Sequence, residues 1–104
     1  MTSIHHVALH VNDVASAVSW YRGAFNCSVS YQDATWAMLE FENVSLALVS
    51  HQQHPPHIAV THPHAERFGR LETHRDGTRS VYVQDTSGNA VEILDAASTR
   101  PRPV

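Results

Sequence analysis

Apolar and polar residues alternate in short runs along most of the chain, which is typical of half-buried β-strands. The runs are IHHVALHV (4–11), CSVSYQDA (27–34), TWAMLEFEN (35–43), VSLALVSH (44–51), HIAVTH (57–62), RLETHR (70–75), SVYVQD (80–85) and AVEILDA (90–96). Residues 14–25 differ, because their apolar positions recur at helical spacing after a candidate helix cap, Asn12 or Asp13. PHAERFG (63–69) is long enough for at most about two helical turns.

The first and fifth runs are nearly the same sequence, since HVALH (6–10) aligns with HIAVT (57–61). This repeat predicts two β-α-β-β-β modules, at 3–51 and 57–96. A linker at 52–56 contains two prolines, and the tail at 97–104 is expected to fray. We predict an α+β fold of one domain, 1–104, with a truncated second helix. Its two modules, related by a pseudo-twofold, form a cup from a curled mixed sheet.

Composition narrows the classes of function. The chain has 104 residues, 42% apolar and 16% charged, as expected of one small globular domain. Its net charge is −3, and all seven cationic residues are arginines without a basic cluster, which argues against nucleic acid as a partner. The lone Cys27 predicts a cytoplasmic location. No signal peptide or bilayer-length apolar run is visible, so no membrane partner is expected.

Two of the nine histidines occupy equivalent places in the repeat. Because alternate side chains of a strand share a face, His6 and His57 are expected to point into the same concave space. Glu92 is an acidic residue in an otherwise apolar last strand, and a buried carboxylate is costly unless it is paired or bound to metal. The three residues predict a two-histidine, one-carboxylate metal site with open positions.

Other polar residues have weaker claims to a role. Glu40 shares a predicted strand face with Trp36 and Met38 and is a candidate general base. Because the chain has no lysine, contact with a phosphonate or carboxylate group of a substrate would come from an arginine, of which Arg79 is one candidate. The remaining histidines in or near predicted loops are expected to be solvated: His51, His54, His62, His64 and His74.

The sequence resembles the vicinal oxygen chelate superfamily, which contains glyoxalases, bleomycin-resistance proteins and ring-cleaving dioxygenases. The resemblance covers about residues 3–96 and is carried by IHHVALHVNDVASAVSWYRGAF, PHIAV and GTRSVYVQDTSGNAVEIL. It implies metal ligands at His6, His57 and Glu92. It also implies a hydrogen-bonding role for Tyr82, where dioxygenase relatives place a tyrosine.

The chain departs from lactoylglutathione lyases, which have a fourth ligand in the first module. Overlaying SLALVS (45–50) on AVEILD (90–95) puts Ala47 opposite Glu92, and alanine cannot bind a metal. The resemblance therefore implies a three-ligand site for one divalent ion, namely Zn, Ni, Fe, Mn or Mg, and a small-molecule substrate with vicinal oxygens.

Three functions remain open at this point. A lyase or isomerase of glyoxalase type is what the superfamily implies first. Three ligands also suit ring cleavage or fosfomycin-type modification, and a non-catalytic protein that sequesters a small molecule is the third reading. Relatives pair their modules within or between chains, so we also expect a homodimer.

Overall fold

The computed structural model describes residues 1–51 and 54–100, so the predicted linker residues 52 and 53 and tail residues 101–104 lie outside the described part. Eight strands and one α-helix form the fold. In chain order the elements are β1 (Ile4–Val11), α1 (Val14–Ala24), β2 (Ser28–Gln32), β3 (Trp36–Glu40), β4 (Ser45–Ser50), β5 (His57–His62), a 3₁₀ turn (Ala65–Phe68), β6 (Glu72–Thr73), β7 (Arg79–Gln84), β8 (Ala90–Asp95) and a second 3₁₀ turn (Ala96–Ser98).

All eight strands belong to one mixed sheet, in the order β2-β3-β4-β1-β5-β8-β7-β6. The order repeats outward from the central pair, since β1 is parallel to β4 just as β5 is parallel to β8. The two central strands run antiparallel to each other. This arrangement confirms the predicted α+β fold of two pseudo-twofold-related modules.

The outer face of the first module is covered by α1. Asp13 caps this helix by accepting a hydrogen bond of 2.8 Å from the backbone N–H of Ser16. Val14 and Val18 pack against a buried cluster that includes Leu39 and Leu48, both fully buried. This packing leaves the opposite face of the strands to form the inside of the cup.

The second module has only the short 3₁₀ turn in place of a full helix, as predicted. Ala65 in that turn is fully buried, and the turn packs on β7 and β8. The start of the predicted tail is held in place, because Ser98 Oγ accepts a 2.9 Å hydrogen bond from the backbone N–H of Arg79. Within the described residues, no helix is long and apolar enough to cross a bilayer.

Candidate metal centre

Three neighbouring strands bring His6, His57 and Glu92 together inside the cup. The strand register pairs Ala8 of β1 with His57 of β5, and Ala59 of β5 with Glu92 of β8. His6 lies two residues before Ala8 and His57 two residues before Ala59, so all three side chains occupy the same face. They are 8%, 7% and 5% exposed, respectively, so all three side chains are almost completely shielded from solvent.

The three candidate ligand atoms form an equilateral triangle. Nε2 of His6 lies 3.3 Å from Nε2 of His57, and each of these nitrogens lies 3.3 Å from Oε1 of Glu92. Atoms about 2.0–2.2 Å from a common ion and 3.3 Å apart subtend roughly 100° at it, between octahedral and tetrahedral values. The donor set therefore fits a divalent metal held on one side, with further positions open towards the cavity.

The hydrogen bonds behind the imidazoles favour a cation at the centre. His57 Nδ1 lies 2.7 Å from the Pro55 carbonyl, which can only accept, so Nδ1 carries the hydrogen. In neutral His57 the Nε2 lone pair then points at the Glu92 carboxylate. His6 Nδ1 lies 2.8 Å from His5 Nδ1, and donation from His6 would free its Nε2 in the same way. Facing lone pairs repel unless a proton or a metal ion lies between them.

The pKa values of His57 and Glu92 are shifted in the directions that favour a positive charge between them. Burial alone disfavours protonated His57, but its hydrogen bonds to Glu92 and Pro55 outweigh burial and raise the pKa of the imidazole above 6.5. Burial alone would likewise raise the pKa of the Glu92 carboxyl. Hydrogen bonds from His57, His6 and Ser80 reverse this and hold that pKa well below 4.5. The Glu92 carboxyl is therefore ionised at neutral pH.

A cavity of about 130 Å³ opens beside the triad. One wall is apolar and consists of Trp36, Met38, Ala47, Val49 and Leu94. Ala47 pairs with Ala8 in the register that Glu92 has with Ala59, so Ala47 is the structural equivalent of Glu92 in the first module. The place of a fourth ligand is thus part of the apolar wall.

Polar groups line the rest of the cavity. The Tyr82 hydroxyl lies 3.5 Å from His57 Nε2, and burial raises the pKa of its phenol. The His54 ring stacks on Tyr82, with centroids 5.5 Å apart, and its pKa is lowered by burial. His5 and His74 also line the cavity.

Two of the histidines expected to be solvated, His54 and His74, line the cavity; His54 is exposed and His74 is half-buried. Sequence reasoning assigned neither to the site. The only available signal was their position next to predicted site strands, three residues before β5 and six residues before Ser80 of β7. Arg75, which also lines the cavity, was missed as well.

Two predicted site residues lie elsewhere. Glu40 accepts hydrogen bonds from the hydroxyls of Ser30 and Ser45, and the described residues that line the cavity do not include it. Arg79 is held in an ion pair with Asp95, with its guanidinium nitrogen 2.7 Å from the carboxylate, and is likewise absent from that lining set. Arg75 is the arginine that the structure places at the cavity.

Comparison with known proteins identifies the family of the chain. Residues 3–68 match the model of the family described as "Glyoxalase/Bleomycin resistance protein/Dioxygenase superfamily". The chain belongs to this superfamily. The matched segment includes His6 and His57, whereas Tyr82 and Glu92 lie beyond it. No curated protein matches the sequence.

Several solved structures share the fold at low sequence identity. A Streptomyces coelicolor methylmalonyl-CoA epimerase is 17% identical, with a TM-score of 0.73 over 97% of this chain and 99% of that one. A hypothetical protein from Bacillus halodurans C-125 is 12% identical, with a TM-score of 0.74 over 99% and 98%. A superfamily member from Vibrio splendidus 12B01 is 14% identical, with a TM-score of 0.67 over 90% and 98%.

Proposed function

We propose that this chain is a divalent-metal-dependent enzyme, a lyase or isomerase of glyoxalase type, that acts on a small molecule with vicinal oxygens. The observation that supports it most is the buried triangle of two imidazole nitrogens and one carboxylate oxygen, each 3.3 Å from the others. His6, His57 and Glu92 would hold the ion. When bound, the ion would supply Lewis-acid stabilisation of negative charge on two neighbouring substrate oxygens.

The apolar and polar walls of the cavity would have different roles in binding the substrate. The apolar side, with Trp36 and Met38, would hold the carbon skeleton and exclude water, and 130 Å³ suits a group about the size of one six-membered ring. The raised pKa of the Tyr82 phenol keeps it protonated at neutral pH. Its hydroxyl is therefore a hydrogen-bond donor for a substrate oxygen beside the triad.

A lyase or isomerase of this kind also needs a proton acceptor. Glu40 was the candidate from sequence, but the cavity-lining position of His54 makes its imidazole the better one. His5 and His74 also reach the cavity, yet they are already hydrogen-bonded to His6 and Ser80. His54 would take a proton from the carbon next to the substrate carbonyl and return it to the neighbouring carbon or oxygen.

A direct test is hydrogen–deuterium exchange. The chelator-stripped protein is reloaded with Zn²⁺, Ni²⁺, Co²⁺, Fe²⁺ or Mn²⁺ in D₂O and mixed with small 2-oxo and 2-hydroxy carbonyl compounds. We expect NMR to show metal-dependent exchange at the carbon next to the carbonyl, and no exchange with Glu92→Gln. Exchange that survives complete removal of metal, or that is absent with every metal and compound, would contradict the proposal.

The three-ligand set favours a second candidate, a ring-cleaving or fosfomycin-type activity. Ala47 leaves the position opposite Glu92 without a protein ligand, so two substrate oxygens and a further small molecule would find open coordination positions. Consumption of catechols by the Fe²⁺ or Mn²⁺ form in the presence of O₂, without carbonyl exchange, would move this candidate to first place. Tight ligand binding without turnover would favour the sequestering protein.

Assembly and location are further proposals. We propose a cytoplasmic homodimer, since two-fold pairing is the commonest oligomer. Leu9 and Ile58, on the central strands, are 40% and 41% exposed and offer apolar surface to a second copy. Light scattering at micromolar concentration should give twice the chain mass of 11.6 kDa, and a monomer mass would refute the dimer.

A further inference from the structure

The two oxygens of the Glu92 carboxylate have different surroundings. Oε1 faces the two imidazole nitrogens of the triad at 3.3 Å. Oε2 faces away from them, 2.7 Å from Ser80 Oγ and 3.4 Å from Nε2 of His74. His74 Nε2 is in turn 2.6 Å from the same Ser80 hydroxyl. A continuous chain of polar contacts therefore leads from His74 at the cavity wall, through Ser80, to the back of the carboxylate.

The chemistry of these groups fixes which of them donates each hydrogen bond. An ionised carboxylate only accepts, so the single hydrogen of the Ser80 hydroxyl is donated to Glu92 Oε2. Ser80 Oγ then accepts from His74, whose hydrogen must be on Nε2. Ser80 is 2% exposed, so water does not compete for its hydroxyl. His74 and Ser80 thus both lie against Oε2 of Glu92, and Oε1 is left facing the two imidazoles.

The backbone holds all three members in place. Ser80 lies opposite Leu94 on β8, which makes it a diagonal neighbour of Glu92 on the same sheet face. His74 is fixed by a tight turn, in which its N–H donates to the Thr78 carbonyl at 2.8 Å and its carbonyl accepts from Gly77 at 3.0 Å. Gly77 has a φ of +88°, a conformation that glycine adopts without strain.

We infer that His74 and Ser80 are positioning residues that fix Glu92 as a one-oxygen metal ligand and thereby set the metal affinity of the site. This inference rests on the proposed metal-binding function. With Oε2 held by Ser80, the carboxylate presents only Oε1 to the triad and loses little rotational freedom when an ion binds. Without the contacts to Ser80 and His74, the Glu92 carboxylate can rotate or offer both oxygens to the ion, which alters the number of ligand atoms.

The test uses His74, because its side chain is 26% exposed and tolerates substitution better than buried Ser80. His74→Ala removes the donor to Ser80, whereas His74→Gln restores an N–H donor at a similar reach. His62→Ala is the matched control, since His62 is also half-buried and does not line the cavity. Zn²⁺ affinity is measured by chelator competition, and the visible absorption of the Co²⁺ form reports the ligand number.

We expect His74→Ala to weaken Zn²⁺ binding about tenfold to a hundredfold, the usual effect of losing a partner behind a metal ligand, and to change the Co²⁺ spectrum. His74→Gln should recover most of the affinity and the spectrum, and His62→Ala should change neither. A folded Ser80→Ala variant should behave like His74→Ala.

The outcomes separate this inference from the function it rests on. Wild-type affinity and spectrum in His74→Ala would overturn the inference while leaving the metal site intact. Equal losses in His74→Ala and His74→Gln would also overturn it, because they would reveal a packing effect rather than a hydrogen bond. A wild-type protein that binds neither Zn²⁺ nor Co²⁺ would overturn the inference together with the proposed function.

Discussion

Metal binding should raise the thermal stability of this protein, and replacing Glu92 by glutamine should remove most of the effect. The proposed ligands come from β1, β5 and β8, and His6 and His57 are 51 residues apart in the chain. The unfolded chain does not hold these three groups together, so the binding free energy is added to the folding free energy. The bound ion would join the two modules across their central strand pair.

The size of the effect follows from mass action. At a free metal concentration 100 times Kd, the folded state gains about 2.7 kcal/mol. For a domain of this size that gain raises Tm by roughly 10–20 °C. Losing a partner behind a ligand already costs about 10–100-fold in affinity, and Glu92→Gln removes the charge of the ligand itself. At the same metal concentration, a hundredfold weaker site retains only about 0.4 kcal/mol of stabilisation.

The assay is thermal unfolding of chelator-stripped protein with and without metal, using the difference in Tm for each variant. Glu66→Gln is the control, because the exposed Glu66 carboxylate also lies beside a histidine, 3.5 Å from His64. We expect the full shift in wild type and Glu66→Gln, and a shift of a few degrees at most in Glu92→Gln. Equal shifts in wild type and Glu92→Gln would refute the assignment of Glu92 as a ligand.

Three further predictions follow from the site. Ala47→Glu places a carboxylate opposite Glu92 and should tighten metal binding in chelator competition; unchanged or weaker binding would show that position 47 does not supply a fourth ligand. Tyr82→Phe should lower kcat about 10²–10³-fold with metal content unchanged, and a wild-type kcat would exclude its hydroxyl as a donor. In the metal-free protein His57 stays in its positively charged, doubly protonated form above pH 6.5. The stability that this charge adds is lost as pH rises through the raised pKa of His57. Metal binding releases that proton, so affinity in a pH titration should rise with pH and level off once His57 is neutral; an affinity independent of pH from 5 to 8 would contradict this.

The fold was accessible from sequence because the repeat encodes its symmetry. HVALH and HIAVT place His6 and His57 at equivalent points of the two central strands, and alternation within each strand selects the inward face. The overlay of β4 on β8 also identified Ala47 as the partner position of Glu92, which the strand register supports. Local pattern and internal symmetry were sufficient for these features.

The residues around the triad were harder to predict from sequence, because the alternation of apolar and polar positions gives the sheet face of a residue but not its distance from the site. Glu40 shares a face with Met38, yet one further step of about 6–7 Å along β3 carries it to the serines that bind its carboxylate. Arg79 pairs with Asp95 across the β7–β8 hairpin, a contact that depends on strand register. His74 reaches the site through the geometry of its turn, which its sequence position alone does not reveal.

The central claim is tested most directly by anomalous X-ray diffraction from crystals of the Zn²⁺-loaded protein. The account predicts one strong anomalous peak per chain, about 2.0–2.2 Å from Nε2 of His6, Nε2 of His57 and Oε1 of Glu92. No peak between these three atoms, or peaks only at exposed histidines such as His64, would contradict it.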